Sequence, residues 1–220
     1  SIGIIAEFIL YVNMLTWPVA VVGWVTSIVQ RAEASQKRIN QFLQEEPNIV
    51  STVKEETPIK GKIEFKNVTF TYEDTNIMAL NNISFTINQG ETVAILGKTG
   101  SGKSTILDLI ARLYDIDSGE ILIDDVPIKE LNLQSLRQSI GAVPQDAFLF
   151  SDTIKNNIKF GKENSTDEEI IAVAKKAVVH ENIMGFNKQY ETILGERGIT
   201  LSGGQKQRVS IARALLKDPP

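Results

Sequence analysis

The stretch GKTGSGKST, residues 97 to 105, constrains the fold of this chain more than any other segment. It satisfies G-x-x-x-x-G-K-[ST] at Gly97, Gly102, Lys103 and Ser104, with the short apolar run TVAIL (92–96) before it and the helical pattern ILDLIARL after it. A buried strand, a glycine loop and a helix in that order are what such a loop requires. Glycines are needed because backbone N–H groups must converge on phosphate oxygens, which side chains and ordinary φ values would obstruct. The helix starting near Lys103 adds its positive end. In this reading Lys103 faces the β and γ phosphates and the Ser104 hydroxyl ligates Mg²⁺. A glycine-rich turn with a surface lysine is the plainer alternative, but so specific a match arises by chance in only about one chain in a hundred.

Hydrophobicity is concentrated elsewhere. Phe8 to Val29 is a run of 22 residues without a formal charge, about 33 Å as a helix against a hydrocarbon core of about 30 Å. A membrane span is expected, with lipid around residues 8–29. A buried core helix is the other possibility, since Asn13, Thr16, Pro18 and Thr26 dilute the stretch, and Pro18 is expected to kink it. No basic segment precedes the run, so a signal peptide fits poorly. Arg31, Lys37 and Arg38 follow it, which places the remainder in the cytoplasm by positive-inside bias.

Residues 31–47 continue as a polar helix closed by Pro47, and 51–60 read as a linker. From Gly61 the pattern becomes globular. Ile63 and Phe65, then Val68 and Phe70, alternate with one slip between them, and Ile83, Phe85 and Ile87 alternate again, so an antiparallel β-layer is expected. Thr166 and Glu169 have capping-box spacing ahead of an amphipathic helix carrying Ile170, Ile171, Ala174, Ala177 and Val178, with His180 at its end. The net charge of −4 gives no reason to expect nucleic acid, and the absence of cysteine removes disulfides and thiolate metal sites.

About a hundred residues after the glycine loop stands LSGGQ, Leu201 to Gln205. With this motif in place the chain resembles the ABC transporter ATPases, and among them the exporter type in which membrane helices and ATPase are fused. The resemblance covers almost the whole chain. It implies an α/β P-loop NTPase fold with a RecA-like core, an antiparallel β-subdomain and a helical subdomain at about 146–205, preceded by one transmembrane helix. The implied divisions are 1–30 (last membrane helix), 31–60 (cytoplasmic helix and linker) and 61–220 (partial ATP-binding domain).

The resemblance also implies site residues. Gly97, Lys98, Thr99, Gly100, Ser101, Gly102, Lys103, Ser104 and Thr105 would hold ATP, with Tyr72 stacked on adenine; a core tyrosine is the alternative for Tyr72. Gln145, within VPQDAFLFSDTIKNNI, matches the glutamine that reaches Mg²⁺ and the attacking water, so it and Ser104 are the implied metal-site residues. GERG (195–198) matches a loop that touches the partner's coupling helices. Leu201, Ser202, Gly203, Gly204 and Gln205 would contact the γ-phosphate held by a second subunit. Ser202 and Gln205 also have the spacing of a capping box, a reading compatible with that one. Gly203 and Gly204 leave the first-turn N–H groups uncovered.

In the family a strand carrying a metal-binding Asp and a catalytic Glu follows a DP or DPP pair, and a switch histidine comes later; His180 does not hold that position. The sequence stops at Pro219 and Pro220, so an excerpt of a longer protein is expected, with a sheet left incomplete, an exposed apolar edge and no hydrolytic competence of its own. The implied parent is an ATPase-coupled exporter half-subunit in the plasma (inner) membrane, paired with a second half-transporter as homo- or heterodimer and moving a small-molecule, lipid or peptide substrate. Alternatives are a soluble ABC ATPase acting on nucleic acid, an importer ATPase, a catalytically degenerate partner that binds ATP without hydrolysing it, and an inactive fragment. The fused apolar run argues against the first two.

Overall fold

Helix α1 runs without interruption from Ile2 to Gln44, with Pro18 inside it and no buried residue. A mean hydropathy of 1.7 over its most apolar 18-residue window makes it long and apolar enough to cross a membrane. Two polar residues of the apolar half are satisfied within the helix: the Thr16 and Thr26 hydroxyls donate to the carbonyls of Val12 and Val22 at 3.1 and 2.8 Å. Such back-bonding is what a hydroxyl can do where no water is available. The helix stops three residues before Pro47, consistent with the bias of a pre-proline residue against helical ψ. The computed structural model describes residues 2–51, 53–195 and 201–220. It divides into two units, Ser1–Asn48 and Ile49–Pro220.

The second unit opens with the expected antiparallel layer. Strands β1 (Ile63–Tyr72), β2 (Ile77–Ile87), β3 (Ser118–Ile123) and β4 (Val126–Pro127) pair in the order β2-β1-β3-β4, each pair antiparallel. The slip between Phe65 and Val68 is a β-bulge, with Asn67 at φ 49°. It restores the inward alternation, so Phe65, Val68 and Phe70 are all buried. Gly119 of β3 is required there, because a Cβ on it would stand 2.4 Å from the Asn67 carbonyl oxygen. Beneath the sheet lie α2 (Lys103–Ile110) and α3 (Leu133–Gln138), whose Leu109 and Leu136 share one core with Phe65, Ile121 and Ile123.

A separate helical core joins α4 (Ile154–Lys159), α5 (Asp167–Lys176), α6 (His180–Met184) and α7 (Gly203–Leu216). Both expected capping boxes are formed, Thr166 with Glu169 and Ser202 with Gln205. The helix expected to include Val178 ends earlier. Val178 N–H bonds to the Lys175 carbonyl and Val179 N–H to the Ala174 carbonyl, which is the Schellman pattern. Val178 therefore sits at φ 55°, 75% exposed, and Val179 takes the buried place instead. His180 does not close α5; it opens α6, and its Nδ1 lies 2.8 Å from the Tyr190 hydroxyl.

Two further expectations need correcting. TVAIL (92–96), expected as a buried strand, is not one here, and the apolar run IGAV (140–143) is not a strand either. A strand is held by a ladder, and among the described residues no neighbouring strand supplies one. Leu96 is 91% exposed as a result, and Val93 and Val143 are also exposed. Residues 51–60, expected as a linker, are instead tied into the second unit by hydrogen bonds to residues 124–135.

Candidate nucleotide-binding site

The loop 97–102 ends in a left-handed glycine, Gly102 (φ 82°, ψ 10°), which caps the N-terminus of α2. No other residue type fits this position. A Cβ there would stand 2.4 Å from the Ala79 carbonyl oxygen and 2.9 Å from Leu80 Cδ2, so β2 presses directly on the loop. Gly100 is also left-handed (φ 79°) with open space around it, and Gly97 is crowded by the Ser101 hydroxyl. The Lys103 ammonium folds back over the loop, donating to the carbonyls of Gly97 (2.9 Å) and Lys98 (2.7 Å). Lys98, Thr99, Ser101 and Ser104 are exposed around it, with Ser104 as second residue of α2. A positive charge and a helix N-terminus thus converge on a backbone free of side-chain obstruction, an arrangement suited to a polyphosphate.

Tyr72 stands beside this loop. Its hydroxyl lies 3.0 Å from Thr105 Oγ1, and Thr105 is buried in the first turn of α2. Phe70 and Tyr114 hold the Tyr72 ring edge-on at 4.9 and 5.3 Å. Tyr72 is half-buried, so it is partly a core tyrosine. Tyr114, which sequence reasoning passed over, is its second aromatic support; its place just after the α2 helical pattern was the available signal.

Gln145 is exposed at a bend, and among the described residues no hydrogen bond joins it to Lys103 or Ser104. Its neighbour Pro144 accepts a hydrogen bond from Gln207 of α7 at 3.0 Å, which ties the glutamine's loop to the helix that LSGGQ begins. Residues 201–205 are likewise not joined to 97–105 by any hydrogen bond among the described residues. Leu201 is only 6% exposed and belongs to the helical core, so its side chain anchors the motif. The Ser202 N–H donates to Gln205 Oε1 at 2.9 Å and Ser202 Oγ accepts from the Gln205 N–H. Gly203 and Gly204 carry no positive φ, and among the described residues a Cβ on either would meet nothing within 4 Å. In GERG, Glu196, Arg197 and Gly198 lie outside the described residues.

Behind the glutamine loop is a polar knot that sequence reasoning missed. Asn157, 1% exposed, donates to the carbonyls of Phe150 and Thr153 and accepts from the Phe150 N–H. Arg213 of α7 donates to the carbonyls of Asn157 and Phe148, and its guanidinium lies 5.8 and 5.6 Å from the rings of Phe150 and Phe160. Burial lowers the Arg213 pKa from its usual value. Asn157 stands in the apolar stripe with Ile154 and Ile158, and a polar residue on a buried face was the signal.

Comparison with known proteins follows the same motifs. A family profile described as ABC transporter matches residues 80–220. The chain is 45% identical, over its whole length and 38% of the relative's, to the uncharacterized ABC transporter ATP-binding protein YfiB of Bacillus subtilis. It is 43% identical to the multidrug resistance-like ATP-binding protein MdlA of Escherichia coli, over 98% of this chain and 37% of that one. A solved structure of a bacterial Atm1-family ABC exporter with ATP bound superposes with a TM-score of 0.83 at 36% identity, covering 96% of this chain and 37% of that chain. The chain thus spans less than two fifths of the length of these relatives.

Proposed function

Because the chain belongs to the ABC transporter family and its relatives are exporter-type proteins, we propose that it is the ATP-binding portion, with an adjoining membrane helix, of an exporter half-subunit. Residues 1–30 supply the last span of the membrane domain, 31–60 the connection and 61–220 the ATP-binding domain. Two such subunits, identical or not, close on two ATP molecules, and closure and hydrolysis switch the membrane part between inward and outward access.

The residues of the loop suit this role chemically. Backbone N–H groups of 97–105 cradle the triphosphate, Lys103 exchanges its loop carbonyls for the β and γ oxygens, and Tyr72 offers an anchored ring to adenine. Ser104 and Gln145 would offer hydroxyl and amide oxygens to hold Mg²⁺, whose chemistry there would be to offset the negative charge of the phosphates.

One observation carries the paired arrangement. Gly203 and Gly204 begin a helix where glycine costs up to about 1 kcal/mol relative to alanine, yet neither φ nor crowding by any of the described residues requires them. Such bareness serves a close approach from outside the chain, and the positive end of a 14-residue helix suits an anion. In this reading the anion is the γ-phosphate on a second subunit's loop. In the full-length protein, Lys103→Ala is expected to abolish ATP binding while leaving the membrane assembly intact; unaltered affinity for ATP in that variant would remove the assignment of 97–105.

A further inference from the structure

The segment that leaves α1 is strapped onto α3. Ser51 Oγ accepts from the Leu133 N–H at 3.1 Å, the Val53 carbonyl accepts from Asn132 Nδ2 at 2.9 Å, and the Thr57 N–H donates to Ser135 Oγ at 3.2 Å. These bonds span about eighty residues of sequence and converge on one short helix. Asn132 and Ser135 are buried, and Asn132 also caps α3 by accepting from the Ser135 N–H. The strap is therefore held by groups whose own positions are fixed.

The other end of α3 grips the helix of the phosphate loop. Arg137 donates from Nε to the Ala111 carbonyl at 3.2 Å and from an Nη to the Arg112 carbonyl at 2.8 Å. Those carbonyls close α2: Arg112 sits at φ 46°, with its N–H bonded to the Leu109 carbonyl and the Leu113 N–H bonded to that of Asp108. A cation at the negative end of a helix is favourable, and its loss leaves carbonyls without a charged donor. Lys217, just beyond α7, donates to the carbonyls of Arg137 and Ile140, so the C-terminal end of α3 is fixed as well.

We propose that Arg137 is a positioning residue that couples the strap 51–57 to the phosphate-loop helix α2 through α3. The strap is continuous with α1 through residues 45–50, so a pull on that connection reaches Lys103 and Ser104 within one chain. Because α3 is short and its packed residue Leu136 lies in the core that holds Leu109 of α2, it moves as one piece. Coupling of this kind is reciprocal: whatever ATP does to α2, α3 returns to the strap.

The test is amide exchange, read by mass spectrometry on the full-length protein. Ser51→Ala removes the acceptor of the Leu133 N–H, and Thr57→Val removes the Oγ1 that accepts from the Asn132 N–H at 3.4 Å, so together they loosen the strap and leave α3 and α2 unaltered in sequence. Exchange is expected to rise about threefold or more in peptide 103–113 as well as in peptide 53–60. Arg137→Met is expected to raise 103–113 by a similar factor, Arg137→Lys by less, and the combined variant no more than Arg137→Met alone. A strap that loosens while 103–113 is unchanged overturns the proposal, as does a strap whose exchange ignores both substitutions. Only the second arm rests on the ATP-binding reading: MgATP is expected to slow exchange of 53–60 in the unsubstituted protein and not in Arg137→Met, with nucleotide affinity measured separately. If ATP does not bind at all, the functional reading fails while the first arm still decides the coupling.

Discussion

Gly204→Asp separates folding from function in opposite directions. Gly204 is the second residue of α7, and among the described residues a Cβ there meets nothing within 4 Å. The folded chain gains from the change. Removing a helical glycine contributes up to about 1 kcal/mol, and an aspartate in the first turn a further 0.3–1 kcal/mol or so from the helix dipole. For a domain of this size each kcal/mol raises Tm by about 2–4 °C. ATP sandwiched against the helix start meets the reverse. Two unit negative charges about 4 Å apart at an effective dielectric near 20 repel by about 4 kcal/mol, a factor of about a thousand in a turnover that needs the closed pair. Differential scanning fluorimetry, ATP titration and steady-state hydrolysis on the full-length protein read the three quantities. The expected pattern is a raised Tm, unchanged affinity of the open form for ATP and turnover lowered by about three orders of magnitude. A lowered Tm would show that the glycine serves the fold, and intact turnover would refute an anion at this helix end.

Other expectations follow from single positions. Val178→Gly relieves a left-handed β-branched residue; strain of about 1–2 kcal/mol, less the entropy glycine adds to the unfolded chain, leaves a gain of about 1 kcal/mol, and an unchanged or lowered Tm would contradict the strain. Asn157→Ala strands the Phe150 N–H and the backbone carbonyls it serves, so urea unfolding should register a loss of about 2–3 kcal/mol; a loss under about half that would mean the knot is idle. Tyr72→Phe, which removes only the hydroxyl bound at Thr105, should leave ATP affinity within twofold. Tyr72→Ala should lower that affinity five- to a hundredfold, the range of about 1–3 kcal/mol for a base stacked on an aromatic ring, and affinity equal to wild type would leave Tyr72 a core residue alone.

What was legible in the sequence was local. GKTGSGKST and LSGGQ fix loop and helix starts through glycine and capping chemistry that acts within a few residues, and Gly102 and the Ser202–Gln205 box form as the spacing predicts. The slip in KIEFKNVTF was visible because a bulge is needed to keep Val68 and Phe70 facing inward. Other features depend on distant partners. TVAIL has a strand's composition but among the described residues no ladder to join. The strap at 51–57 reads as a polar linker because its bonds go to a helix about eighty residues away. Val178 has no glycine to announce the helix end; core packing of Val179 sets the register and the left-handed turn follows. Arg137 and Arg213 look like ordinary surface cations until the carbonyls they serve are known.

In the proposed pair, the bare helix start at Gly203 faces the γ-phosphate of ATP bound to a second subunit. The most direct measurement is the rate at which maleimide labels Ser202→Cys in the full-length protein, read at that residue by mass spectrometry, with MgATP against MgADP. Residues 1–220 contain no native cysteine, so the thiol at 202 is the single target within them. MgATP is expected to slow labelling about tenfold or more, MgADP, which lacks the γ-phosphate, to leave it fast, and Lys103→Ala to remove the difference. Equal labelling rates in MgATP and MgADP would contradict that pairing.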